Sequence, residues 1–224
     1  MLANRYVYLH GFASSPLSLK GMRMAEAFAD IGVTLHRVDL NRPSFEKITY
    51  TAALGALDEI DARVEGGPLR LIGSSMGGYL AARWAELHPE KVDRLMLMCP
   101  GFDLARRWPV LVGPQRLKGW EEEGTLPLPD VHGEFRPVHW EFIEDARKRH
   151  PAFPEVSCET LIVHGRGDET VLIETSRDYA RGREHVRLIE VDDDHGLVAS
   201  LEDIVAWTMD FFDLEAGDSE VKTK

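Results

Sequence analysis

Leu71-Ile72-Gly73-Ser74-Ser75-Met76-Gly77-Gly78 is the stretch that decides the fold. It sets Gly-x-Ser-x-Gly, centred on Ser75, between an apolar run at Leu69–Ile72 and a segment of helical period carrying Leu80, Trp84 and Leu87. A sharp strand-to-helix turn holds its central residue in a strained backbone conformation. It needs small residues two positions to either side so that strand and helix can approach. Gly73 and Gly77 meet that need. The Ser75 hydroxyl then sits at a helix N-terminus, where free N–H groups and the helix dipole favour developing negative charge. Ser74 lacks this glycine frame. A phosphate-cradling loop would need the Lys of Gly-x-x-x-x-Gly-Lys, which is missing. Taken alone, the motif also fits a Gly/Ser-rich turn with no chemistry.

Outward from the turn, short apolar runs alternate with helical segments. The runs are Tyr6–Leu9, Val33–Val38, Leu69–Ile72, Arg94–Cys99, Thr160–Val163 and Val186–Val191. Consecutive apolar positions suit strands covered on both faces. Helical stripes are Met22, Ala25 and Phe28–Ala29, closed by Gly32; Ala53, Leu54, Leu57, Ile60 and Val64, stopped by Gly66-Gly67-Pro68; and Leu201, Ile204, Val205, Thr208, Phe211 and Phe212. The alternation predicts an α/β fold with a mainly parallel sheet and helices on both sides. Residues 101–156 break the rhythm with seven prolines and no convincing core strand. The stretch 138–149 and a short piece near 105–112 look helical. The segment reads as an insertion folded over the carboxyl edge of the sheet. Residues 1–100 and 157–215 are then the core, 101–156 a lid, and 216–224 a disordered polar tail.

Three further strand ends carry chemistry. The first strand runs into His10-Gly11-Phe12. A backbone N–H from such a loop, here Phe12, can join the N–H after the nucleophile, here Met76, to hold an oxyanion. His10 reads as a structural ring that braces this loop. Leu161-Ile162-Val163 leads into His164-Gly165-Arg166-Gly167-Asp168, and Ile189-Glu190-Val191 into Asp192-Asp193-Asp194-His195-Gly196. A carboxylate beyond one strand can fix the tautomer of an imidazole beyond the next. The assignment is Ser75 as nucleophile, His195 as general base and Asp168 as orienting acid. Asp192–Asp194 lie too near His195 in sequence to reach its Nδ1 comfortably, and no partner cluster supports a metal site there.

The bulk properties fit an ordinary soluble globular protein. The chain has 224 residues, 44% hydrophobic and 29% charged, with a formal net charge of −12. That acidity gives no footprint for nucleic acid. Cys99 and Cys158 look like small core residues rather than a disulfide framework. No segment is long and apolar enough to span a bilayer, and the N-terminus lacks signal-peptide zones. The expected setting is a bacterium-like cytoplasm, with a monomer or homodimer acting on a small molecule.

These motifs resemble a known family. Leu9-His10-Gly11-Phe12 with Ser14-Ser15-Pro16 resembles the start of the small bacterial YqiA-like esterases. Gly73–Gly78 resembles the elbow of esterases and thioesterases. His164-Gly165-x-x-Asp168-x-x-Val171 and Asp194-His195-Gly196 resemble the acid and histidine loops of α/β-hydrolases. The resemblance implies a Ser-His-Asp triad and no cofactor. The full family sheet has two strands before the oxyanion strand, and only five residues precede Tyr6 here. Six parallel strands in the order 2-1-3-4-5-6 are therefore expected. The implied reaction is hydrolysis of an ester or thioester through an acyl-enzyme. A carbon–carbon hydrolase and a non-catalytic scaffold are the alternatives. Within 101–156, Trp108, Trp120 and Trp140 are candidates to line an acyl pocket or to form the insertion's own core. Arg106 and Arg107 are candidates to receive an anionic group, or are solvated surface charge.

Overall fold

The computed structural model describes residues 4–214; the tail expected at 216–224 lies outside them. Six parallel strands form the central sheet: β1 (Arg5–Leu9), β2 (Leu35–Val38), β3 (Leu69–Ser74), β4 (Val92–Met98), β7 (Glu159–Gly165) and β8 (Val186–Val191). Their spatial order is β2-β1-β3-β4-β7-β8. The order expected from sequence was 2-1-3-4-5-6. The two differ because β5 (Thr125–Pro129) and β6 (Phe135–His139) intervene in the chain and pair with each other as a separate antiparallel hairpin.

The central strands alternate between two buried faces, as a period of two requires. Val7, Leu9, Leu69, Leu71, Leu95 and Leu97 point to one core; Tyr6, Tyr8, Ile72, Met96 and Met98 point to the other. The first core is covered by α2 (Tyr50–Arg63) and α3 (Met76–Leu87), through Ala53, Leu57, Leu80 and Trp84. The second is covered by α1 (Leu19–Asp30) and α8 (Leu201–Phe211), through Met24, Phe28, Leu201 and Ile204. The inward face of α1 differs from the expected stripe. Met22 is exposed, and Gly21, Met24 and Phe28 are buried. Gly21 is the reason: a Cβ there would meet the Tyr8 ring, so a bare backbone faces the sheet.

Between β4 and β7 lie α4 (Leu104–Val112), α5 (Pro114–Glu123), the hairpin, and α6 (Glu141–Arg149). The helix expected over 138–149 starts only at Glu141. Leu126 and Leu128 are buried while Pro127 and Pro129 are exposed. The prolines therefore follow a strand period, on a two-stranded ladder where a missing N–H costs little. Two further helices were not read from sequence: α5, whose Pro114 start and Gly124 stop are ordinary helix punctuation, and α7 (Ile173–Ala180). Cys99 and Cys158 are both free thiols. Among the described residues, no helix is long and apolar enough to cross a membrane.

The closest approach in the fold is at the β3–α3 turn. A methyl group on Gly77 would overlap the Leu9 and His10 carbonyls, whereas Gly55, inside α2, faces open space. Gly77→Ala should cost about 1–3 kcal/mol and lower Tm by several degrees. Gly55→Ala should gain about 0.5–1 kcal/mol. Thermal unfolding of the two variants side by side checks both signs.

Candidate active site

Ser75 stands between β3 and α3 with φ 54° and ψ −118°. A positive φ in a residue with a Cβ is strained, and such strain persists only where the surroundings enforce it. Here the Ser75 N–H donates to the Met98 carbonyl over 2.9 Å, and its own carbonyl accepts from Tyr79 N–H at 3.1 Å and Gly101 N–H at 2.8 Å. The turn is thus tied to β4 and to the first turn of α3. Ser74 is buried in the sheet and cannot compete.

His195 follows β8. Its Nε2 lies 3.0 Å from Ser75 Oγ, and its Nδ1 lies 2.6 Å from Asp168 Oδ2. Three segments 120 and 27 residues apart in sequence therefore meet in one hydrogen-bonded chain. The imidazole side chain is 28% exposed while the Asp168 carboxylate is fully buried. Asp168 Oδ1 accepts from Thr170 N–H at 2.9 Å and Val171 N–H at 2.8 Å. His164 Nε2 lies 3.2 Å from Oδ2. Burial alone would raise the carboxyl pKa. The hydrogen bonds from His164 and His195, with the positive charge His195 can carry and the Val171 amide, outweigh it and hold Asp168 well below the usual carboxylate range.

Gly11 brings the first loop against Ser75: a Cβ there would sit 3.3 Å from Ser75 Cβ. Phe12 follows it, and Met76 is the first residue of α3, whose N–H has no intrahelical acceptor. His10 is wholly buried. Its Nε2 accepts from Leu40 N–H at 3.0 Å, and its Nδ1 donates to the Gly11 carbonyl at 2.8 Å. It braces the loop after β1 against Leu40, two residues beyond the end of β2.

The tentative substrate contacts divide differently from the expectation. Trp120 is fully buried, donates from Nε1 to the Val138 carbonyl at 2.7 Å, and packs on Trp108, Trp140 and Phe142. Trp108 is 5% exposed and packs edge-on to Phe12 and Phe142. Trp140 is half-buried beneath the Arg147 guanidinium. Trp108 and Trp120 belong to the same apolar cluster that covers one face of the sheet, and Trp140 packs against it. None of the three lines the cleft at Ser75. Arg107 is engaged too: Nε and Nη2 each donate over 2.9 Å to the Thr170 and Glu169 carbonyls, tying α4 to the acid loop. Only Arg106 is a mainly exposed charge, 3.4 Å from Asp103.

Three residues of the site's frame were not anticipated. His164, with Nδ1 2.7 Å from Ser176 Oγ, backs the carboxylate; its place four residues before Asp168 in an apolar strand was the available signal. Lys20 Nζ donates to the Gly196 carbonyl at 2.7 Å and pins the loop after His195, and burial lowers its pKa. Asp193 accepts from Asp194 N–H and Ser200 N–H, both at 2.8 Å, so that part of the acidic run folds the histidine loop. Cys99, His164 and Asp168 bring possible ligand atoms within 4.8 Å of one another. His164 and Asp168 are already committed to the hydrogen bonds above, and burial pushes the Cys99 thiol well above its ordinary value.

The cleft itself is about 270 Å³, walled by Gly11, Phe12, Leu19, Lys20, His195 and Val198 around Ser75. A parallel sheet with this order, a serine at the sharp turn after its third strand and a histidine after its last defines an α/β-hydrolase fold. The chain belongs to the family described as Uncharacterised protein family (UPF0227), whose model matches residues 5–212. It is 31% identical to the mouse (Mus musculus) protein named palmitoyl-protein thioesterase ABHD10, mitochondrial, over 89% of this chain and 74% of that one. The solved structure of alpha/beta hydrolase domain-containing protein 10 from mouse is similar with a TM-score of 0.74 at 24% identity, covering 93% of this chain and 89% of that one. Est1E from Butyrivibrio proteoclasticus, solved with ferulic acid bound, has a TM-score of 0.78 at 20% identity, over 94% and 88% of the two chains.

A carboxyl whose folded pKa is depressed contributes stability above its unfolded value, about 3.9, and loses it as pH falls towards the folded pKa. The stability difference between the native protein and Asp168→Asn should therefore be large at pH 7 and shrink below about pH 4. Urea unfolding of both at pH 7 and pH 3 measures it; a difference independent of pH would remove the depressed carboxyl from the description.

Proposed function

We propose that the protein is a serine hydrolase that cleaves a carboxylic ester or thioester through an acyl-enzyme. The observation that carries this reading is the unbroken chain from Asp168 to His195 to Ser75, at 2.6 and 3.0 Å. His195 takes the Ser75 proton as the oxygen attacks the acyl carbonyl. Asp168 holds the ring with Nδ1 protonated and stabilises the imidazolium that forms. The Met76 and Phe12 amides receive the oxyanion. His195 then gives its proton to the departing alkoxide or thiolate. Water, deprotonated by the same ring, attacks the acyl-enzyme; the bond to Ser75 Oγ breaks, Oγ takes the proton back from His195, and the acid is freed. Atoms and charge balance without a cofactor.

The acyl group lies in the cleft beside Leu19 and Val198, which are 59% and 61% exposed. Apolar side chains left in water at the rim of a polar centre suit an acyl chain. The names of relatives point the same way: a palmitoyl-protein thioesterase and an esterase fold with a bound aromatic acid. Residues 101–156 act as the lid. Their aromatic core rests on Phe12, whose ring is stacked on Phe142 at 5.0 Å, so lid and oxyanion loop form one packed unit.

A fluorophosphonate probe should label the folded protein once, and Ser75→Ala should abolish labelling. The same variant should lose about 10⁴-fold or more in kcat/KM on p-nitrophenyl esters and acyl thioesters. Unchanged labelling in Ser75→Ala, or turnover that survives it, would refute the assignment.

A further inference from the structure

The imidazole that meets Ser75 is carried by a short loop, residues 192–198, whose ties to the rest of the chain are few. Asp193 accepts from Asp194 N–H and Ser200 N–H, Asp194 Oδ1 accepts from Gly196 N–H at 2.7 Å, and Leu197 N–H donates to the Asp194 carbonyl at 3.2 Å. These bonds close the segment on itself. Leu197 is held at φ 54°, where a residue with a Cβ is strained. The acid loop reaches it through Gly167 N–H on the Asp193 carbonyl and Asp168 on His195 Nδ1. Among the described residues, and besides Ser75, one other side chain holds this loop by a hydrogen bond from elsewhere in the chain. That is Lys20, whose Nζ donates to the Gly196 carbonyl at 2.7 Å from 176 residues away.

Two features make Lys20 an unfavourable residue for the fold alone. It is the second residue of α1, where the positive end of the helix dipole opposes a cation, and no acidic side chain stands in that first turn. Its ammonium is also partly withdrawn from water, which lowers its pKa. A methionine would fill nearly the same space with neither penalty. Asp168, Asp193 and Asp194 all lie near enough to act on its charge. Among the described residues it forms a salt bridge with none of them, and donates instead to the main-chain carbonyl beside His195.

The base of Lys20 is itself fixed. Ser18 caps α1: its Oγ accepts from Gly21 N–H at 3.3 Å and lies 3.1 Å from the Tyr8 hydroxyl. Gly21 packs bare against the Tyr8 ring, where a Cβ would come within 2.7 Å. Tyr8 is buried in β1, the strand whose exit loop carries Phe12. Tyr8, Ser18, Lys20, His195 and Gly196 all line the cleft at Ser75. A connected path therefore runs from β1, through the cap of α1 and the Lys20 ammonium, to the residue that follows the imidazole.

We propose that Lys20 is a positioning residue, whose ammonium acts through the Gly196 carbonyl to keep the His195 ring in line between Asp168 and Ser75. This role rests on the serine-hydrolase function proposed above. Lys20→Met, which keeps the stem and deletes the charge, tests it on p-nitrophenyl acetate. Its kcat should fall about tenfold or more while KM stays within about twofold. Fluorophosphonate labelling, which needs the same deprotonation of Ser75, should slow to a similar degree. Tm should not fall, because a cation leaves a helix N-terminus. Treating Lys20→Cys with 2-bromoethylamine rebuilds a side chain of lysine length that ends in an ammonium, and should restore most of the lost kcat. Iodoacetamide, which leaves a neutral amide, should not. The native protein given each reagent is the reference. With the native protein active, four results would each overturn the role: full kcat in Lys20→Met, a raised KM at unchanged kcat, activity lost together with several degrees of Tm, or equal recovery with both reagents. A native protein that neither takes the label nor turns over the ester would sink the serine-hydrolase function itself, and the role of Lys20 with it.

Discussion

One buried carboxylate organises the carboxyl end of the sheet. Asp168 has no exposure to water, and its two oxygens face the Thr170 and Val171 amides, His164 and His195. An ionised group in that position is tolerable only with its hydrogen-bonding capacity filled. Two of these donors belong to its own loop, one to the strand before it, and the fourth is the ring that reaches Ser75. The loop in turn is held from outside. Arg107 of α4 takes the Glu169 and Thr170 carbonyls, and the Gly167 N–H donates to the Asp193 carbonyl at 2.9 Å. Acid loop, histidine loop and insertion are therefore fixed by one connected set of bonds, and the imidazole is aimed by that set rather than by its own loop.

The Ser75 side is fixed by steric closeness instead. Gly11, Gly73 and Gly77 let three backbones approach until a methyl group at Gly73 or Gly77 would overlap a neighbour's main chain. That closeness forces the strained φ at Ser75 and sets the first turn of α3 beneath it. Phe12 extends the constraint into residues 101–156. Its ring packs on Phe45, Trp108 and Phe142, so the loop beside Ser75 is held against both the chain after β2 and residues 101–156.

How much of this could be read from the chain depended on where the physical signal was local. Both-face burial of β1, β3 and β4 appears as consecutive apolar residues, and the glycine frame of Ser75 is fixed by a turn of eight residues, so sheet and elbow were legible. The convergence of Ser75, Asp168 and His195 was legible from strand ends taken together. The hairpin was not. Its Leu126-Pro127-Leu128-Pro129 pattern carries a strand period, but proline argues against a strand unless the ladder has only two members. The tryptophans and arginines of 101–156 could not be assigned either. Burial of Trp120 and capture of Arg107 by the Glu169 and Thr170 carbonyls are set by contacts some 20 to 60 residues away. The same holds for Lys20, which meets the Gly196 carbonyl from far away in the sequence.

The most direct test is to catch the covalent intermediate. Rapid acid quench of the protein turning over a saturating acyl thioester, followed by peptide mass spectrometry, should find the acyl mass on the peptide containing Ser75. The adduct should accumulate in His195→Ala if any acylation survives there, because deacylation needs the same ring. Turnover with no adduct on Ser75, or with the acyl group on a cysteine or lysine, would contradict the account.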